Sequence, residues 1–553
     1  MKRLLLVVVA LTLAESAAAQ EQRASIEGTI RDSSGAVMPG VAVDARSPAM
    51  AGVQSTMTDA TGTYRFPALP PGRYEVTATL QGFQPAKTSD VRLELGQVLK
   101  IDLILIVEAI SETVKVTAES PLIDVKQNAA GGNVQAEIIE RIPKGRDFAG
   151  LLTSVPAVTN EARNSGIQID GASGADNRFL IDGVDTTNLL NGTSGKTFAP
   201  DFVEEVQVKA SGYNAEYRAS LGGVISAITK SGGNDYHGGA GIYFTSDSLQ
   251  GDVRQTLRLN PSNQNIAEYV TTPLDDYVSP EPIADLGGPI VRDRLWFYVG
   301  YDPSWTKRTR TVTFSNNTTG TFSQKPITNI VNYNVTGQIS RSLGGRFAVS
   351  NQRDRGGYPL PNSGPGGRST SNPALFPSVV RRDSSNDSYS GVLDWIVDNR
   401  TYVNVTMTRF KTGQHDVGQF STAVRHLFQA SNFQFPEIPP SLQNVNQFAD
   451  NPSSSQFVRG NLSRLNFNAD ITRYGDWRGQ HTLKGGSKSS AFATTRCRVS
   501  RQRPSSCSGT LRTRPTTAVA FVAPTGITTW SASTRRETSI RTTSACSSRM
   551  PGR

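Results

Sequence analysis

FVEEVQVKASGYNAEYRASLGGVISAITKSGG, residues 202 to 233, decides what kind of chain this is. It opens with the acidic, Val-rich segment Phe202 to Lys209 and runs through Tyr213-Asn214-Ala215-Glu216-Tyr217. It then becomes the glycine-led strand Gly222 to Thr229, which ends in the turn Lys230-Ser231-Gly232-Gly233. Gly222-Gly223 is not a phosphate loop, because no Gly-x-x-x-x-Gly-Lys-Ser/Thr follows a strand here; paired glycines read instead as a place where strands pack closely. Upstream stand Gln168-Ile169-Asp170-Gly171 and Arg178-Phe179-Leu180-Ile181-Asp182-Gly183-Val184-Asp185. Asp182 and Asp185 are read as solvated turn residues and not as paired catalytic carboxylates. Further upstream, Phe148, Leu151, Leu152 and Val155 fall at i, i+3, i+4 and i+7, which predicts a short amphipathic helix capped by Asp147 and ended by Pro156.

In order and spacing these segments resemble the plug of the TonB-dependent outer-membrane transporters, in particular the Oar-like branch, over about residues 112–240. The resemblance places an α/β plug domain at residues 120–235. It also gives a role to Glu112-Thr113-Val114-Lys115-Val116-Thr117-Ala118, where Val114 and Val116 alternate with polar residues. An extended segment of this kind can be completed by a strand of another protein through backbone pairing alone. It resembles the TonB box, which implies docking of TonB, driven by ExbB and ExbD.

Ahead of that segment, turn chemistry recurs at close spacing. Asp32-Ser33-Ser34-Gly35, Thr58-Asp59-Ala60-Thr61-Gly62 and Leu69-Pro70-Pro71-Gly72 separate short alternating runs, and about seven strands in this stretch predict a small β-sandwich. Gly28, Asp32, Gly35, Pro39, Gly40, Val41, Asp59, Gly62, Tyr64, Phe66, Pro71, Gly72 and Tyr74 resemble the carboxypeptidase regulatory-like domain over residues 24–108. That implies a transthyretin-like sandwich without peptidase activity, its Gly, Pro and Tyr serving turns and core.

From residue 236 the pattern is segments of about ten residues with one apolar and one polar face. Leu465, Phe467, Ala469 and Ile471 alternate with Asn466, Asn468, Asp470 and Thr472; Val403, Val405 and Met407 alternate with Asn404, Thr406 and Thr408. Leu295-Trp296-Phe297-Tyr298-Val299-Gly300-Tyr301 supplies aromatics suited to an interfacial girdle. With the plug in front, residues 236–486 read as an antiparallel transmembrane β-barrel contacting outer-membrane lipid. The barrel of the resembled family has about 22 strands, so this stretch accommodates about half of one. An open half would leave backbone groups unpaired in hydrocarbon, and the chain as written is expected to be an incomplete copy that cannot transport.

The ends read differently. Lys2 and Arg3 precede the apolar run Leu4 to Leu13 and the small residues Ala17-Ala18-Ala19, so residues 1–19 are expected to be a signal peptide that exports the chain to the outer membrane. Residues 487–553 hold all three cysteines, Cys497, Cys507 and Cys546, and their eleven Arg and one Lys stand against one Glu. That excess is larger than the +10 of the whole chain, so the basic pI belongs to this tail and gives no reason to expect a nucleic-acid partner. Without clear strand or helix period, the tail reads as an aberrant basic low-complexity stretch or a shifted reading frame.

No enzymatic constellation stands out. The four histidines, His237, His415, His426 and His481, lack metal-ligand spacing, and there is no Gly-x-Ser-x-Gly, so catalytic, metal and cofactor residues are expected to be none. The reading is therefore a mainly β, non-enzymatic transporter of a large or scarce solute. Its rival is a β-modular surface adhesin or a carbohydrate- or peptide-binding envelope protein.

Overall fold

The computed structural model describes residues 23–47, 52–107, 130–142, 145–161, 166–213, 220–260 and 263–418, apart from single positions near 341, 372–379 and 399. Beyond them it describes 456–476, 480–500, 503–523 and two short pieces to 542. The expected signal peptide at 1–19 and the docking segment Glu112 to Ala118 lie outside the described residues.

Eight strands between Ala24 and Leu105 form the sandwich. One sheet orders Thr63–Leu69, Ala24–Asp32 and Val98–Lys100, with Leu103–Leu105 also on Ala24–Asp32; the other orders Val53–Met57, Ala42–Arg46, Gly72–Thr79 and Ala86–Leu93. Between them lie Ile26, Ile30, Val43, Phe66, Val76 and Leu93. The motif residues have physical reasons to be there. A Cβ on Gly28 would sit 1.7 Å from the carbonyl oxygen of Ile101, and the Tyr64 hydroxyl donates to that same carbonyl at 2.7 Å. Asp32 accepts from the Ser34 and Ala36 amides, and Asp59 from those of Thr61 and Thr63, so each aspartate closes its own turn.

The plug is a five-stranded sheet in the order Val184–Asp185, Arg178–Ile181, Val224–Thr229, Val203–Ser211, Ala130–Gln135, with one parallel pair between Arg178–Ile181 and Val224–Thr229. Its core collects Phe148, Leu151, Leu152, Phe179, Val206, Val208 and Ile225. The amphipathic stripe is buried as expected, but only Ala149–Leu152 is helical, a single turn. The cap position is taken by Phe148 and not by Asp147, whose carboxylate accepts from the Phe198 amide at 3.3 Å, a neighbour supplied by the fold. The glycine pair does pack closely, since a Cβ on Gly223 would lie 2.5 Å from the Ile169 side chain.

A 15-stranded sheet curves around the plug and carries the long wall strands from His237–Ser246 to Arg503–Ala523. Neighbouring wall strands pair antiparallel in long registers; Val380–Asp398 and Thr401–Gly418, for example, pair from Val380↔Gly418 to Asp398↔Thr401. Its side chains are inverted relative to a soluble protein. Phe467 and Ile471 are nearly half exposed on the outside, while Asn466, Asn468, Asp470 and Thr472 are buried inside. Ile242, Phe347, Trp395 and Met407 repeat the outward apolar face. A soluble sandwich would bury the apolar face, so this pattern belongs to a wall whose outer solvent is lipid.

Two expectations need correction. Of the aromatics at 295–301, Trp296 and Tyr298 point inward and are fully buried, so they hold the plug and are not part of a girdle. Trp296 Nε1 donates to Asn234 Oδ1 at 2.8 Å, fixing the chain as it leaves the plug, and Tyr298 joins the plug core. The sheet also crosses the expected boundary at 486. Gln480–Ser500 pairs along Gln456–Asp476, and Arg503–Ala523 pairs back onto it, because backbone pairing requires no side-chain period.

Candidate functional site between plug and barrel wall

The sites where the plug meets the wall are built from charged side chains that the plug's turns aim outward and the wall's strands aim inward. Asp182 and Gly183 form the two-residue turn between Arg178–Ile181 and Val184–Asp185. Both have positive φ, +46° and +73°, as a primed hairpin turn requires. The turn is not solvated. The Asp182 carboxylate accepts from the Thr229 amide and hydroxyl, at 3.1 and 2.8 Å, and pairs with Arg346 of the wall at 3.1 Å. Its carbonyl accepts from Ser390 Oγ at 2.8 Å.

Asp185 is mostly buried, between Arg178 of the plug at 3.2 Å and Arg464 of the wall at 2.9 Å. Burial pushes its carboxyl up, but the two guanidinium groups and Thr187 outweigh that and hold it below the usual carboxylate range. Arg464 also donates to the carbonyls of Asp185 and Thr187, at 2.5 and 2.9 Å. The reading of Asp182 and Asp185 as solvated turn residues is thus overturned. The sequence did hold a signal: Arg464 is an arginine in the inward series otherwise filled by Asn466, Asn468 and Asp470.

Two further contacts complete the seam. Lys196, almost wholly buried, donates to the Ser350 carbonyl at 2.6 Å and to Ser388 Oγ at 3.0 Å. Burial pushes its ammonium down to about 7, against the pull of Asp387 and Asp182. Arg146 stacks on the Tyr243 ring at 3.5 Å and bridges Asp201 of the plug, at 2.8 Å, to Glu281 of the wall, at 2.6 Å. Tyr243 closes the ring by donating to Asp201 at 2.6 Å. The arrangement seats one domain inside another through directional polar bonds, beside the apolar contacts that Ile283 and Tyr298 of the wall make with the plug core.

Among the described residues, no group of three or more His, Cys, Asp or Glu could hold a metal ion. The docking residues Glu112, Thr113, Val114, Lys115, Val116, Thr117 and Ala118 fall between Val107, where the described sandwich ends, and Ala130, the first described residue of the plug.

The sandwich and the plug match known domain families in the same order. Residues 25–105 match the carboxypeptidase regulatory-like domain and residues 124–224 match the TonB-dependent receptor plug domain. The TonB-dependent transporter Oar of Myxococcus xanthus is 34% identical over 325 residues, which cover 56% of this chain and 29% of Oar. The chain therefore spans less than a third of that relative's length. Among solved structures, the outer membrane transporter YddB of Escherichia coli aligns with TM-score 0.49 at 14% identity, over 70% of this chain and 54% of its own. The alcaligin outer membrane receptor FauA of Bordetella pertussis aligns with TM-score 0.44 at 11% identity, over 74% and 54%.

Proposed function

We propose that this chain, which carries a TonB-dependent receptor plug behind a carboxypeptidase regulatory-like domain, supplies the plug and part of the wall of a transporter for active uptake of a large or scarce solute across the outer membrane, and is an incomplete copy of it. The observation that carries the reading is the seam itself. Asp182, Asp185, Lys196 and Arg146 hold the plug inside the wall by polar bonds that water can replace, so a modest pull can rearrange what thermal motion does not. TonB, energised by ExbB and ExbD, pairs with Glu112 to Ala118 as an added strand and supplies that pull. The leader at residues 1–19 exports the chain, and the sandwich then lies on the periplasmic side.

The test is binding of the TonB C-terminal domain to the purified chain. Val114→Pro and Val116→Pro each remove a backbone donor and break strand pairing, and are expected to abolish binding while the folded sandwich and plug remain. Unchanged binding of either variant would defeat the reading.

A further inference from the structure

The seam explains how the plug meets the wall, but it leaves unexplained two polar side chains on the plug's outermost strand pair. In Val203–Ser211, Val206 and Val208 face the plug core, yet Glu205 and Gln207 on the opposite face are buried as well, at 2% and 4% exposure. What covers them is the sandwich. Its turn Glu94 to Gln97, between Ala86–Leu93 and Val98–Lys100, lies on this strand with Leu95 buried. The Leu95 amide donates to Glu205 Oε1 at 3.1 Å, and the Leu95 carbonyl accepts from Gln207 Nε2 at 2.6 Å. An acceptor and a donor two residues apart on one strand thus grip both backbone polar groups of a single residue.

Burial pushes the Glu205 carboxyl up to about 8, with Glu94 and Glu204 adding to it and the Leu95 amide and Arg92 opposing, so the group enters this contact largely uncharged. On either side, Glu94 accepts from Asn133 Nδ2 at 3.0 Å, and Arg73 forks onto Glu137 at 2.8 and 3.0 Å.

The same sandwich also holds the rim of the wall. Arg23 pairs with Asp394 at 2.7 Å with both groups mostly buried, Arg65 stacks on Tyr474 at 4.1 Å, and Asp59 lies 3.9 Å from Arg400. One domain therefore touches the plug and the wall together.

We propose that the regulatory-like sandwich is a clamp, gripping plug strand Val203–Ser211 through Leu95 and the wall rim through Arg23, which keeps the plug seated and must let go before the plug can move. This concerns what holds the plug and stands apart from the identity of whatever pulls it. A surface fixed only by its linker would not bury a carboxyl and an amide against a single backbone residue.

The experiment places a specific protease site between residues 107 and 130 of the full chain in membranes, cleaves it, and asks whether the sandwich fragment stays with the membrane. The wild-type fragment is expected to stay. Leu95→Asp and Arg23→Glu are each expected to raise the released fraction at least tenfold, and Asp394→Arg added to Arg23→Glu is expected to return it. Amide exchange in Arg178–Ile181 and Val224–Thr229 should also quicken in Leu95→Asp, since a freed plug opens more often. A wild-type fragment that washes off on cleavage overturns the clamp. So does a Leu95→Asp fragment that stays bound, or plug exchange that is the same in both chains.

Discussion

Replacing Asp185 by Asn is the sharpest test of the seam, because it changes one charge and almost no volume. Asp185 lies between Arg178 at 3.2 Å and Arg464 at 2.9 Å, and all three groups are nearly buried. Removing one partner of a buried ion pair costs about 3–5 kcal/mol, most of it from the charge left behind. Here two guanidinium groups lose this carboxylate, but Arg464 keeps the carbonyls of Asp185 and Thr187. The low end, about 3 kcal/mol, is therefore expected. At about 1.4 kcal/mol per factor of ten, this raises the population of the opened plug roughly 150-fold. Hydrogen exchange of the Arg178–Ile181 amides, followed by mass spectrometry in membranes under conditions where exchange reports the opening equilibrium, reads that factor directly. An exchange rate within threefold of wild type would refute the claim that this carboxylate seats the plug. The same carboxyl has a lowered pKa, so its contribution is present at neutral pH and is lost as pH falls through the folded value; acid should loosen the wild-type plug and leave the Asn variant less affected.

Lys196 gives a pH dependence of the same sign in a higher window. Its ammonium is depressed to about 7, so charging it inside the seam opposes seating below that value. The plug should hold more firmly as pH rises from about 7 toward the unfolded Lys value, a slope that Lys196→Met should flatten in the same exchange experiment. In the sandwich, Gly28→Ala would drive a Cβ to 1.7 Å from the Ile101 carbonyl oxygen, and a loss of about 3 kcal/mol in denaturant midpoint experiments is expected; wild-type stability in that variant would show that the strands spread freely there.

Sequence alone went far with this chain, and for a physical reason: turns and sheet faces are local. Asp32 and Asp59 bond to amides two to four residues away, Asp182-Gly183 sets its own hairpin, and the period of two from Leu465 to Thr472 assigns each side chain to lipid or lumen. The sandwich, the plug and the wall were therefore legible in order.

What neighbours across the molecule decide was not legible. Asp182 and Asp185 look like ordinary solvated turn residues until Arg346 and Arg464, more than 160 positions away, arrive from the wall. Trp296 and Tyr298 look like girdle aromatics until the plug fills the inside of the wall, and Glu205 looks like a surface charge until Leu95 covers it. Whether a polar group is solvated or buried depends on which surface is brought against it. A one-dimensional pattern records which face a residue lies on, but only the assembled domains determine what that face meets.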